Sequence, residues 1–237
     1  MYHSIIFGDK NTWADWYLFP ASRPVFNPPK PKEKIVDVPG ADWHLDLSTS
    51  LTGEILYEGR QGSFEFIVDN GHVEWYNLYS QIMDYLHGKI MKATLEDEPT
   101  FYYEGKFSVN QWKSEPHNSK IVIDYNVSPY KLEKYSSLED WEWDTFNFET
   151  SIIREYKDLK VEDSLAFVIA GRRMAVTPTF NVKSKDGKGL KVQFNGATYD
   201  LPDGISRVIN IRTVSGENTL TFTGNGTVSI DYRGGCL

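Results

Sequence analysis

Across 237 residues the chain carries 33 acidic and 25 basic side chains, and the resulting charge of −8 argues against the basic face that a nucleic-acid surface needs. No apolar run approaches the roughly 20 residues of a membrane span, and the lone cysteine, Cys236, rules out an internal disulfide. What remains is an ordinary globular composition, 40% apolar and 24% charged, long enough for one or two domains at roughly 100–200 residues each. Tyr, Phe and Trp reach 14% while helical patterns are few, which points to β structure. Met1 to Gly8 has neither a basic n-region nor a long apolar core, so no signal peptide is expected, and the protein reads as soluble and made in a cytoplasm.

Ser4 to Gly8 reads as a short strand, and Asn11 to Trp16 as a turn with aromatic anchors. Residues 20–39 hold Pro20, Pro24, Pro28, Pro29, Pro31 and Pro39, over half of the 11 prolines, so no helix or central strand is expected there. Two readings stay open for this segment, which bears Lys30, Lys32 and Lys34: a surface loop, or an extended arm reaching a neighbouring subunit. After Leu51-Thr52-Gly53 a strand is expected to run to Arg60. Phe64, Phe66 and Val68 then alternate with Ser63, Glu65 and Ile67, giving a strand with one apolar face.

Asp69-Asn70-Gly71 breaks that strand and offers a cap for a helix over 72–87. Trp75, Leu78, Tyr79, Ile82, Met83 and Leu86 form one stripe at the helical period, and Gly88 stands where a left-handed C′ residue is favoured. Strands follow at 89–95, 100–109 and 120–127, separated by turns at 96–99 and 114–119. Short turns between consecutive strands imply antiparallel hairpins, with the helix covering one face.

Beyond Tyr130 the composition shifts. Residues 131–150 mix Trp141, Trp143, Phe146 and Phe148 with many acids. Thereafter short β runs are expected at 164–171, 179–182, 190–194, 207–211, 219–223 and 227–232. Turn chemistry separates them at 185–189, Asn195-Gly196, 202–204, 216–218 and Gly224-Asn225-Gly226. That spacing suggests a β-sandwich or jelly roll.

No catalytic constellation emerges. His3, His44, His72, His87 and His117 show no metal-ligand spacing, and neither a G-x-S-x-G nor a P-loop occurs. Cys236 has only Arg233 as a nearby cation and reads as an inert thiol. The acidic run Glu139-Asp140-Trp141-Glu142-Trp143-Asp144 reads as surface, since glycosidase acids must face each other across a cleft. Trp141 and Trp143 could stack on a sugar ring or pack internally. No catalytic residue, no metal and no cofactor is expected.

A resemblance rests on a series of residues in order: Val38-Pro39-Gly40, Leu45-Asp46-Leu47-Ser48, Leu51-Thr52-Gly53 and Arg60, then the strand and helix, then Asp97-Glu98-Pro99, Tyr102-Tyr103 and Gly105-Lys106. Over residues 1–131 this resembles the N-terminal domain of siphophage distal tail proteins, the Dit family, departing from it at Ala41-Asp42-Trp43. Gly216-Glu217-Asn218-Thr219-Leu220 before two closing strands is similar to carbohydrate-binding modules and to the galectin-like second domain of that family. The resemblance implies a mainly β protein. Residues 1–131 would be a ring-forming, tail-tube-type β-sandwich-like domain with one helix, and 132–237 a jelly-roll or galectin-like sandwich. It further implies a homohexameric ring with a central lumen: a structural distal tail protein, or baseplate hub, of a phage or prophage. Its partners would be the tail tube protein and tail-associated or receptor-binding proteins, and its place the virion tail tip, after assembly in the host cytoplasm. The alternative is a carbohydrate-binding protein that recognises a surface glycan through its C-terminal sandwich.

Overall fold

A computed structural model describes residues 2–50, 52–68, 74–113, 119–140 and 152–237. The chain divides into two compact units, Met1–Glu98 with Tyr102–Lys131, and Pro99–Phe101 with Leu132–Leu237. Both are mainly β, built from curled sheets in a sandwich-like arrangement.

The first unit contains β1 (Ile5–Phe7), β2 (Lys10–Asn11), β3 (Leu18–Pro20), β4 (Ile35–Val36), β5 (Leu45–Asp46), β6 (Arg60–Val68), α1 (Trp75–Leu86), β7 (Lys89–Leu95), β8 (Phe101–Lys113) and β9 (Lys120–Val127). Its main sheet runs β2-β1-β7-β8-β9-β6-β3, and every pairing is antiparallel. The two ends of that order are neighbours in sequence. The turn joining them curls back so that Leu18 N–H donates to the Thr12 carbonyl at 2.8 Å, while Thr12 N–H reaches Ile5 O at 2.9 Å. Thr12 is fully buried, and its hydroxyl also accepts from Ile5 N–H. This turn therefore fastens the open ends of the curled sheet to one another.

Helix α1 fills the core. Leu78, Ile82 and Leu86 are buried, with Trp75, Tyr79, Met83 and Tyr85 packed at the margin of the cluster that holds Phe7, Leu18, Phe66, Phe107 and Ile123. Tyr85 ties the helix to the sheet: its hydroxyl, with one hydrogen to donate, lies 2.8 Å from Phe7 O and 2.5 Å from Asp9 Oδ1, and it accepts from Asp9 N–H at 3.1 Å. The stripe read from the sequence is the buried face, and β7 and β9 have the expected bounds. Gly88 follows the helix at φ +75°, and its N–H turns to Phe107 O of β8. The proposed cap at Asp69-Asn70-Gly71 lies outside the described residues, as does most of the 114–119 turn. One expectation fails: β6 begins at Arg60, and residues 54–59 leading up to it carry no strand. Residues 54–59 instead make only a bridge between Pro31 and Tyr57, because they belong to a separate ribbon.

The second unit contains β10 (Lys131–Glu133), β11 (Leu159–Gly171), β12 (Thr179–Ser184), β13 (Leu190–Phe194), β14 (Ala197–Leu201), β15 (Gly204–Arg207), β16 (Gly216–Asp231) and β17 (Gly235–Cys236). The sheet order is β14-β13-β16-β12-β15, with β11 along the other edge of β16 and β10 paired to β17. Here the sequence reading needs correcting. Gly224-Asn225-Gly226 does not separate two strands; β16 runs straight through it. Opposite Gly224 (φ +123°) stands Asp163 (φ +61°), and the Asn225 amide bonds both the Asp163 backbone N–H and its carboxylate. The paired strands bend there, and β16 passes from β13 on one side of the bend to β12 on the other. Residues 207–211 are not a strand beyond Arg207; they form a loop with Ile209 83% exposed. Asn195-Gly196, both at positive φ, make the expected tight hairpin between β13 and β14.

A buried carboxylate ties the ends of this unit together. Glu133 accepts from Arg154 Nη1 at 2.5 Å, Arg172 Nε at 2.9 Å and Gly234 N–H at 2.9 Å, while Arg154 also lies over the Tyr232 ring. Two guanidiniums and an amide satisfy a charge that could not otherwise be buried.

Truncating the helix stripe tests the first core. Leu78→Ala or Ile82→Ala should each cost about 2–5 kcal/mol in chemical denaturation, because both side chains are buried and the rigid sheet cannot collapse onto the gap. A loss below about 0.5 kcal/mol, the range of surface substitutions, would contradict this packing.

Candidate interaction surface

Residues 30–58 form a two-stranded ribbon that makes no use of the core. At its base Lys32 N–H donates to Leu56 O and Glu58 N–H to Lys30 O, both at 2.8 Å; further out β4 pairs β5 through Ile35–Asp46 and Val36–Leu45. From Lys32 to Gly59 no described residue is buried.

The shape of such a ribbon must come from its own turns, and the residues of the family-like pattern supply them. Val38-Pro39-Gly40-Ala41 closes with Ala41 N–H to Val38 O at 3.1 Å, and Gly40 at φ +85° occupies the position that a type II turn reserves for glycine after proline. Asp46 Oδ1 accepts from Ser48 N–H, and the Ser48 hydroxyl accepts from Lys34 N–H, each at 2.8 Å. The Ser48 hydrogen bonds hold the Asp46 carboxyl below its ordinary range. Gly53 N–H returns to Thr49 O at 2.8 Å.

The ribbon's side chains are unusual for a surface. Ile35, Val36, Val38, Trp43, Leu45, Ile55 and Leu56 are all exposed, Trp43 at 76% with His44 stacked on it. Apolar groups gathered on a thin, solvent-covered element mark an interaction site, since a lone hairpin of this size is marginal by itself.

Its root is firmly held. Phe26, from the proline-rich segment, is 3% exposed and stacks on Tyr103 at 3.9 Å, with Phe64 and Tyr125 edge-on. Burial, with the Glu98 carboxylate adding to it, pushes the Tyr103 hydroxyl up to about 12. Asn27 N–H donates to the Tyr125 hydroxyl, and buried Arg60 donates to Asn27 O and Pro129 O. Arg23 Nε and His3 Nδ1 both meet Asp97, at 2.8 and 2.9 Å. Burial raises the Asp97 carboxyl, but the hydrogen bonds from His3 and Arg23 outweigh it and hold the group low. The proline-rich segment is thus an arm only beyond Pro28. Phe26 went unread in the sequence, because a lone aromatic among prolines carries no periodicity.

The remaining site residues lie apart. Trp141 and Trp143 fall outside the described residues, with Phe146, Phe148, Glu142 and Asp144. Glu139 pairs with Arg233 at 3.2 Å and accepts from Ser136 N–H. His87 caps the helix end, and His72 and His117 are outside the described residues. Cys236 sits half-buried on β17. Among the described residues no group of three or more His, Cys, Asp or Glu could hold a metal ion, and no helix is long and apolar enough to cross a membrane.

Two outcomes check the anchoring. Phe26→Ala should cost about 3–5 kcal/mol and make residues 27–58 the first segment cut in limited proteolysis; unchanged stability and cleavage would mean that the arm is not held by this plug. A low carboxyl contributes stability above its unfolded value near 3.9 and loses it as the pH falls through the folded value, so Asp97→Asn should flatten the acid limb of the stability profile. An acid limb identical to that of the parent chain would remove Asp97 from the anchor.

No family model and no curated protein matches the sequence. By structure, the chain is similar to the crystal structure of the SPP1 Dit (gp 19.1) protein, described as a paradigm of the hub adsorption apparatus in phages infecting Gram-positive bacteria. The likeness has a TM-score of 0.57 at 10% identity and covers 97% of this chain and 98% of that one. The chain therefore shares the fold of a phage hub protein along nearly its whole length.

Proposed function

We propose that this chain is the structural distal tail protein, or baseplate hub, of a phage or prophage tail. It closes into a homohexameric ring through a domain spanning residues 1–131, joins the tail tube to the tail-associated and receptor-binding proteins, and catalyses no reaction. Residues 132–237 form its second domain, and its place is the virion tail tip. The observation that carries this reading is the exposed apolar ribbon of residues 30–58, set on a fold shared with a hub protein and built from the residues that resemble the Dit family. A ribbon held by its own turns offers main-chain groups and apolar side chains to a neighbour with little further ordering, and proline lowers the entropy lost when the arm docks. A head-to-tail contact of this kind closes only when its rotation matches the ring. The sixfold end of the tail tube would supply that template, so the purified chain is monomeric when dilute.

Replacing Ile35 and Leu45 by Asp tests it, because neither side chain serves the core. Stability should move by no more than about 0.5 kcal/mol per site, while incorporation into tails is lost. Fewer than six copies per tail tip in tails carrying the unaltered chain, normal tails made without the protein, or full incorporation of the double variant would overturn the proposal.

A further inference from the structure

A cleft of about 440 Å³ opens between the turn through Lys10 to Trp16 and the C-terminal half of α1, within the roughly 300–1,000 Å³ that small-molecule sites occupy. On the helix side Gln81, Asp84 and Tyr85 stand at i, i+3 and i+4 and so share one face. Opposite them are Lys10, Asp15 and Trp16, with Lys89 of β7 at the end. Trp16 is only 3% exposed, and its ring meets Tyr85 edge to face at 5.7 Å.

The rim is already braced. Lys10 Nζ donates to Asp15 Oδ1 at 3.0 Å, and Asp15 Oδ2 accepts from Asn11 N–H at 2.8 Å. Lys89 Nζ donates to the Asp84 carbonyl at 2.6 Å, and the Tyr85 hydroxyl is held by Phe7 and Asp9. Three groups are left over: among the described residues nothing bonds the Trp16 indole N–H, the Gln81 amide or the Asp84 carboxylate. The indole is the decisive one. A tryptophan this deeply buried usually gives its N–H a partner. Here the nitrogen has none, yet it is not sealed from solvent as the orphaned nitrogen of Trp75 is. The small part of Trp16 that solvent reaches therefore includes its donor, at the floor of the cleft it lines.

We propose that this cleft binds one neutral sugar ring. Lys10 and Lys89 face Asp15 and Asp84, so the charges cancel and an ionised ligand meets no surplus of either sign. A hydroxyl both donates and accepts. The lining matches that with a free donor at Trp16, a free acceptor at Asp84 and an amide at Gln81 that does both. The edge-to-face pair of Trp16 and Tyr85 adds apolar surface for the C–H groups of the ring. A wholly apolar ligand would leave all three groups desolvated and unpaired. The site lies in the first unit, apart from the C-terminal sandwich, and uses no residue of the 30–58 ribbon, so it stands whether or not the chain closes into a ring.

Titrating the isotope-labelled full chain with methyl glucoside, methyl galactoside and methyl N-acetylglucosaminide, followed by NMR, tests this. At least one glycoside should shift the Trp16 indole and the Gln81 to Tyr85 amides together and saturably. Its strength should be near millimolar, as expected of about a dozen well-placed atoms. Gln81→Ala and Asp84→Ala alter exposed side chains that hold no partner, so both should leave the rest of the spectrum unchanged. Each should weaken binding about fivefold, the effect of one lost hydrogen bond. Glucuronate and glucosamine, which carry a charge, should bind more weakly than the neutral glycosides. The chain carrying Ile35→Asp and Leu45→Asp should bind sugar as the parent does, so failure of ring assembly and failure of this site are told apart. No saturable shift of the Trp16 indole with any of the three glycosides, binding untouched by both alanine variants, or a preference for glucuronate or glucosamine would overturn the proposal.

Discussion

The first unit depends on filling the hollow of a curled sheet. A sheet whose end strands never pair with each other is stable only if its inner face is covered, and two pieces of chain do the covering. Helix α1 supplies Leu78, Ile82 and Leu86 from one side of the sequence order, and the proline-rich segment supplies Phe26 from the other. The turn through Thr12 then prevents the ends from opening. The Thr12 turn is local, but the packing of helix α1 and of Phe26 joins parts of the chain far apart in sequence, and a surface element can be carried on the unit without entering its core.

That separation explains the ribbon. Since no described residue from Lys32 to Gly59 enters the core, its sequence answers to turn geometry and to whatever it touches outside. Pro39-Gly40, Asp46, Ser48 and Gly53 bend the chain, and Ile35, Trp43 and Leu45 stand exposed on it. The same logic accounts for a fold shared at 10% identity: curled sheets require alternation and a filled centre, which many side chains provide, whereas only a few turn positions demand a particular residue.

Much of this is legible in the sequence alone. The period of 3.6 at Trp75 to Leu86 and the period of 2 at Phe64 to Val68 named their buried faces directly, because one physical cause, burial on a single side, sets both. Signals failed where a residue's role depends on something distant. Gly224-Asn225-Gly226 has turn composition, yet Asp163, 62 residues before Asn225, holds it as a bend inside a strand. Residues 207–211 alternate like a strand, but past Arg207 no partner strand continues opposite them. Glu133 looked like one acid among many until Arg154, Arg172 and Gly234 converged on it. Residues 20–39 were legible as a loop or an extended arm, but neither the ribbon their end makes with residues 45–58 nor its anchor Phe26 was.

The bend at Gly224 has a mechanical meaning. Because β16 pairs with β11 along its length, with β13 before the bend and with β12 after it, both halves of the second unit share this one strand. Peeling one half would strip the other of its spine, so the unit has no cheap partial opening and yields all at once or not at all. A body of that kind transmits a pull or a twist rather than absorbing it, much as a single through-beam makes two bays of a frame share one load.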